Sequence, residues 1–116
     1  MSRCIDMTVE RDLAAPARAR HALTVEFGDL PEALHADARL IVSELVTNAV
    51  LHGAGRVHVR MTLDGACLRV EVDDEAASWG RPSSESRGFQ LVNALAQSFG
   101  VRSTAGGKTV WAEIAV

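Results

Sequence analysis

The sequence predicts an α+β fold: a two-layer α/β sandwich in which about three helices cover one face of a mixed, mainly antiparallel sheet. That expectation rests on a few observations. Segments of alternating polar and apolar residues are interleaved with segments of helical periodicity. Neighbouring alternating segments are joined mainly by tight turns such as Asp64-Gly65. The length of 116 residues, with 47% hydrophobic and 23% charged side chains, supports one hydrophobic core in a single domain spanning residues 1–116.

The elements follow in order. Residues 4 to 12 alternate loosely and read as a first strand. Pro16 fits a helix start, Ala17 to Phe27 is rich in Ala and Arg, and Gly28 stops it. Asp29 is placed to cap the next helix, which is expected from Pro31 to His52 with Gly53 as terminator. Within it Leu34, Ala38, Ile41, Leu45 and Ala49 recur at helical spacing. Arg56 to Leu63 and Leu68 to Val72 alternate cleanly on either side of the Asp64-Gly65 turn, and the second strand ends in Asp73-Asp74. Glu75 to Ser86 is small and polar, with Gly80 and Pro82, and reads as a loop. Arg87 to Phe99 fits a helix, and Val101 to Thr104 and Thr109 to Val116 are two strands around the Ala105-Gly106-Gly107 turn.

Composition removes several function classes. Twelve Lys and Arg against 15 Asp and Glu give a net charge of −3, which lacks the basic footprint of a nucleic-acid binder. Trp79, Trp111 and Phe89 are therefore expected in the core or loop packing and not as a base-stacking set. Eleven of the 12 basic residues are Arg and Lys108 is the single Lys, a usage typical of a GC-rich bacterial genome. Cys4 and Cys67 are too few for a disulfide framework and form no C-x-x-C pair, so a reducing cytoplasm is expected. The first residues carry no apolar signal region, and no stretch approaches the roughly 20 apolar residues of a membrane span. The four His residues have no H-x-x-x-H spacing, which excludes a zincin-type site. Gly107-Lys108-Thr109 imitates the end of a phosphate-binding loop, but Arg102 stands where its first Gly belongs and a strand follows. Gly53-Ala54-Gly55 imitates a dinucleotide fingerprint, but His58 replaces the third Gly and a helix precedes it.

The most informative stretch is Leu40 to His52. It is apolar on most sides, which means burial, yet Glu44, Asn48 and His52 interrupt it at four-residue intervals. Each such step turns a helix by roughly 400°, so the three side chains share one face. One reading is an exposed polar stripe, with His52 favoured by the negative helix C-terminus. The other is a site: the Asn48 amide oxygen suits a hard cation, a carboxylate lies one turn away, and Mg²⁺ takes oxygen ligands together with nucleotide phosphates.

Glu44-Leu-Val-Thr-Asn48-Ala49-Val-Leu-His52 resembles the N-box of the superfamily that includes the ATP-binding domains of gyrase, Hsp90, histidine kinases and MutL, the GHKL ATPases. The longer string Ile41 to Ala49 is similar to the branch of anti-sigma-factor serine kinases. The resemblance implies that Asn48 coordinates Mg²⁺, that Glu44 is the general base, and that His52 belongs to the nucleotide site. It implies an Asp at a strand end that accepts the adenine amino group, and Asp74 matches that position. The family pattern D-x-G-x-G becomes Asp74-Glu75-Ala76-Ala77-Ser78, with Ala76 in place of a Gly that would let backbone approach the base. Arg87-Gly88 resembles the second glycine box, opening a helix whose free amides bind phosphate. Glu75 to Ser86 corresponds to the ATP lid. Gly106-Gly107-Lys108-Thr109 resembles the final box, with Thr109 facing the nucleotide.

The resemblance covers nearly the whole chain and implies a stand-alone regulatory type. The length leaves no room for the phosphoacceptor helices of a sensor kinase or for a transducer domain. Its implied partners are a sigma factor, an anti-sigma antagonist protein phosphorylated on Ser, ATP, and a second copy in a homodimer. The eroded glycine boxes leave open a second class, a non-catalytic protein-binding regulator with weak or lost nucleotide binding.

Overall fold

The structure, a computed structural model, describes residues 2–76 and 87–116. Most of the expected lid, including Trp79, lies outside the described residues. The elements run β1 (Arg3–Val9), α1 (Ala15–Phe27), α2 (Glu32–His52), β2 (Val57–Leu63), β3 (Cys67–Asp74), α3 (Arg87–Leu95), β4 (Ser98–Thr104) and β5 (Gly107–Ala115). The strands form one sheet in the order β1-β2-β3-β5-β4.

Every pairing in that sheet is antiparallel, carrying through the whole sheet the mainly antiparallel character expected from the sequence. Connection parity explains it. Two helices separate β1 from β2, so the chain goes back and forth once more than a single crossover would and β2 returns against β1. One helix separates β3 from β4, which makes those two strands run the same way. They are not neighbours, however, because β5 inserts between them and is antiparallel to both.

Alternation sorts the strand side chains onto two faces. Val57, Val59, Met61 and Leu63 of β2, Leu68, Val70 and Val72 of β3, and Val110, Ala112 and Ile114 of β5 are buried. They join one core with Ala15, Ala19, Leu23 and Phe27 of α1 and Ala38, Ile41, Val42, Leu45, Val46 and Ala49 of α2. The other face is a ladder of charges. Arg60 reaches Asp73 at 2.7 Å and Glu71 at 3.3 Å, Arg69 reaches Glu113 at 3.4 Å, and the Arg69 guanidinium lies 4.5 Å from the Trp111 ring centre.

Some local expectations change. Asp29 does not cap α2: Pro31 holds the cap position with no side-chain hydrogen bond, and the Asp29 carboxylate accepts from Arg3 at 3.0 Å. The third helix ends at Leu95 instead of Phe99. The Gln97 N–H already donates to Glu113 in β5 at 2.8 Å, and Phe99 lies in β4 opposite Ala112, its ring 6.1 Å from that of Phe89. Cross-strand pairing thus claims a segment whose apolar residues also suit a helix. The Asp64-Gly65 turn forms as expected, with the Asp64 carboxylate accepting from the N–H groups of Ala66 and Cys67 at 3.0 and 2.9 Å.

Candidate functional site

Helix α2 buries one side and carries a polar edge beside it. Ile41, Val42, Leu45, Val46 and Ala49 are buried against the sheet and α1. The remaining edge carries Glu44, Asn48 and His52, which line one groove with Thr47 and Leu51. Phe89 and Val92 of α3 form its opposite wall, and its volume is about 160 Å³. Glu44 and Asn48 are half-buried and His52 is exposed. The stripe read from the sequence is therefore a groove wall between two helices.

The end of α2 meets the end of β3. The Gly53 N–H closes the helix on the Ala49 carbonyl at 3.0 Å. A Cβ at Gly53 would stand 2.6 Å from Asp74 Cγ, so Gly is required for the helix end to rest on that carboxylate. Asp74 shares the core-facing side of β3 with Val70 and Val72 and is only 3% exposed. Its Oδ1 accepts from the Ala76 N–H at 2.9 Å. Its Oδ2 lies 3.2 Å from Lys108 Nζ, a side chain just 6% exposed. That contact balances charge but is poorly aligned, and among the described residues Oδ2 accepts no hydrogen bond.

Thr109 takes the other side of β5. Its hydroxyl donates to Asp73 Oδ1 at 2.6 Å, and Asp73 also accepts from Arg60, all within the charged ladder. The structure thus brings Glu44, Asn48 and His52 together in the groove, while Asp74 lies outside that lining, against Gly53 just past the end of α2. It does not bring Thr109 to that face. Asp73, Asp74 and Thr109 instead line a second, wider depression of about 500 Å³ with Arg60 and Arg102. Gly88 falls in the first turn of α3, as expected for a helix opening at Arg87.

Sequence reasoning missed Lys108 and Gly53. The signal for Lys108 was period two: counting back from Val110, which is buried, residue 108 shares its face and residue 109 does not. Among the described residues no group of three or more His, Cys, Asp or Glu side chains could hold a metal on its own. A cation at Asn48 would need oxygen ligands from a bound molecule as well, which is how Mg²⁺ commonly sits with phosphates. No described helix is long and apolar enough to cross a membrane.

Comparison with known proteins fits this arrangement. The model of the histidine kinase-like ATPase domain matches residues 9–114. A solved structure, that of the RsbU and RsbW domains of Rv1364c from Mycobacterium tuberculosis, superposes with a TM-score of 0.76 at 23% identity. The match covers 97% of this chain and 31% of that one, so the chain spans under a third of the solved relative's length. No curated protein matches. A family model that accounts for nearly the whole chain, on a sheet and helix layer of the same shape, makes the chain a member of the histidine kinase-like ATPase domain family.

Proposed function

We propose that this chain is an ATP-binding regulator of the anti-sigma-factor type, which phosphorylates a Ser on an antagonist protein in a Mg²⁺-dependent reaction. The observation that carries the reading is the pair Glu44 and Asn48, one helical turn apart on the same groove wall. The donor chemistry fits the group implied. The Asn48 amide oxygen is a hard ligand, and Mg²⁺ bound there would neutralise phosphate charge. Glu44 is half-buried, carries a carboxylate into the same groove, and has no hydrogen-bond or ion-pair partner among the described residues. It is therefore free to take the proton of an approaching serine hydroxyl. His52 closes the groove at the helix end and Gly88 presents first-turn amides of α3, a suitable cradle for phosphate. Arg87 and Ala76 complete the proposed nucleotide site, with Asp74 toward the base. A sigma factor or its antagonist is the proposed protein partner, in a cytoplasmic setting, with a second copy of the chain as a further candidate.

A second reading has its own observation. Lys108 sits on the carboxylate meant to read adenine, which favours a regulator that holds a protein partner and binds nucleotide weakly. Calorimetry with ATP and Mg²⁺ separates the two. On the kinase reading, Asn48→Ala lowers affinity at least about tenfold, and Glu44→Gln keeps binding but loses transfer to the antagonist serine. Equal affinity in the Asn48 variant refutes the metal assignment, and undiminished transfer in the Glu44 variant removes its role as base.

A further inference from the structure

We propose that Lys108 sets the base selectivity of the nucleotide site. Its ammonium occupies the Asp74 carboxylate that a purine amino group needs, so the chain holds nucleoside triphosphates by their phosphates and reads the base weakly. The inference rests on the nucleotide-site reading above and goes beyond it.

Asp74 is an acceptor when ionised, and Lys is purely a donor, so the two satisfy each other's charge. The adenine amino group is also a donor and competes for the same oxygen. Asp74 Oδ1 already accepts from the Ala76 N–H, and Oδ2, the oxygen that accepts no hydrogen bond among the described residues, is where Lys108 Nζ lies at 3.2 Å. The carboxylate has little room to serve both. Gly53 packs so closely that a Cβ there would stand 2.7 Å from Oδ2. The ammonium has no easy exit, since its side chain is 94% covered and moving it away would leave a buried carboxylate unpaired until the base arrives. Oδ2 nevertheless accepts no hydrogen bond among the described residues, so its directional capacity is unused and becomes available once the ammonium is removed.

The test compares ATP with purine riboside 5′-triphosphate, which lacks the 6-amino group, on the full chain with Mg²⁺ by calorimetry. The wild type is expected to bind the two within about threefold of each other. Lys108→Thr is expected to bind ATP roughly tenfold more tightly than the wild type and to prefer it over the analogue by a similar factor, the worth of one hydrogen bond to a buried charged group. Lys108→Met serves the same purpose if the threonine variant does not fold, and the wild-type comparison needs no variant. A wild type that already prefers ATP about tenfold overturns the proposal, as does a folded Lys108 variant that gains nothing for ATP. If Asn48→Ala still lowers affinity at least about tenfold in either case, the site reading survives and only the role of Lys108 falls. If no folded form binds either triphosphate, the site reading itself falls, and this proposal with it.

Discussion

Gly107→Ala should destabilise the protein far more than Gly106→Ala, although the two are adjacent and one atom is added in each case. A Cβ at Gly107 would stand 2.0 Å from the Asp74 carbonyl oxygen and 2.7 Å from Glu75 Cα. Non-bonded carbon contacts settle near 3.5 Å, so the two backbones would have to part by roughly 1 Å or more. Neither obstacle is a flexible side chain. The strain falls where β5 leaves its turn and Lys108 pairs with Asp74. Overpacking typically costs about 1–3 kcal/mol, and rigid backbone on both sides puts this case near the upper end. For a domain of this size that is a fall in Tm of roughly 6–15 °C. At Gly106 a Cβ would meet nothing within 4 Å, so its change should stay within about 2 °C. Thermal unfolding of the two variants beside the wild type decides the matter. A Gly107 variant within about 2 °C of the wild type, or a Gly106 variant that falls as far, would show that the close approach of β3 and β5 is not what this glycine serves.

The charged face of the sheet and the groove should respond separately. Arg60→Met removes the contacts to Asp73 and Glu71, and should cost about 1–2 kcal/mol in urea unfolding while leaving triphosphate affinity unchanged; a tenfold loss of affinity would show the two faces to be coupled. Asp29→Asn tests the tie between β1 and the end of α1. Hydrogen bonds from Arg3 hold the Asp29 carboxyl below the usual carboxylate range, so its contribution is present above the unfolded value of about 3.9 and fades as pH falls through the lower folded value. The wild type should therefore have the higher urea midpoint at pH 7, with the gap to Asp29→Asn closing below about pH 4. A gap that stays constant from neutral to acid would contradict the pairing.

Most of the fold was legible because its elements depend on local periodicity. The apolar positions of α2 and the alternation of β2 and β3 could be read residue by residue, and Glu44, Asn48 and His52 follow from the same spacing. What could not be read locally was decided between strands. Phe99 has the apolar character of a helix residue, yet the partner it finds is Ala112 across β4 and β5. Asp29 has the chemistry of a cap, but a guanidinium from β1 reaches it first. The parallel sense of β3 and β4 was implied by a single intervening helix, whereas the insertion of β5 between them is a matter of sheet order that no local pattern carries.

Thr109 lies on the face opposite Asp74, since one step of register moves a side chain to the other face of the sheet. Val72, Asp74, Lys108 and Val110 form one set facing the helices, and Asp73, Thr109 and Arg60 form another on the opposite face. The loss of glycine at Ala76 carries a related lesson. The positions just after Asp74 no longer offer Gly, and the Ala76 N–H instead fastens the carboxylate. Close approach to Asp74 comes from Gly53 at the end of α2 and Gly107 at the start of β5, which are distant in sequence and converge on the same residue. A glycine count along the motif would read this site as eroded, while the packing around Asp74 remains as tight as a built site requires. What sets it apart is the occupant of its second carboxylate oxygen, and on the proposal above Lys108 is the residue through which nucleotide selection would be altered.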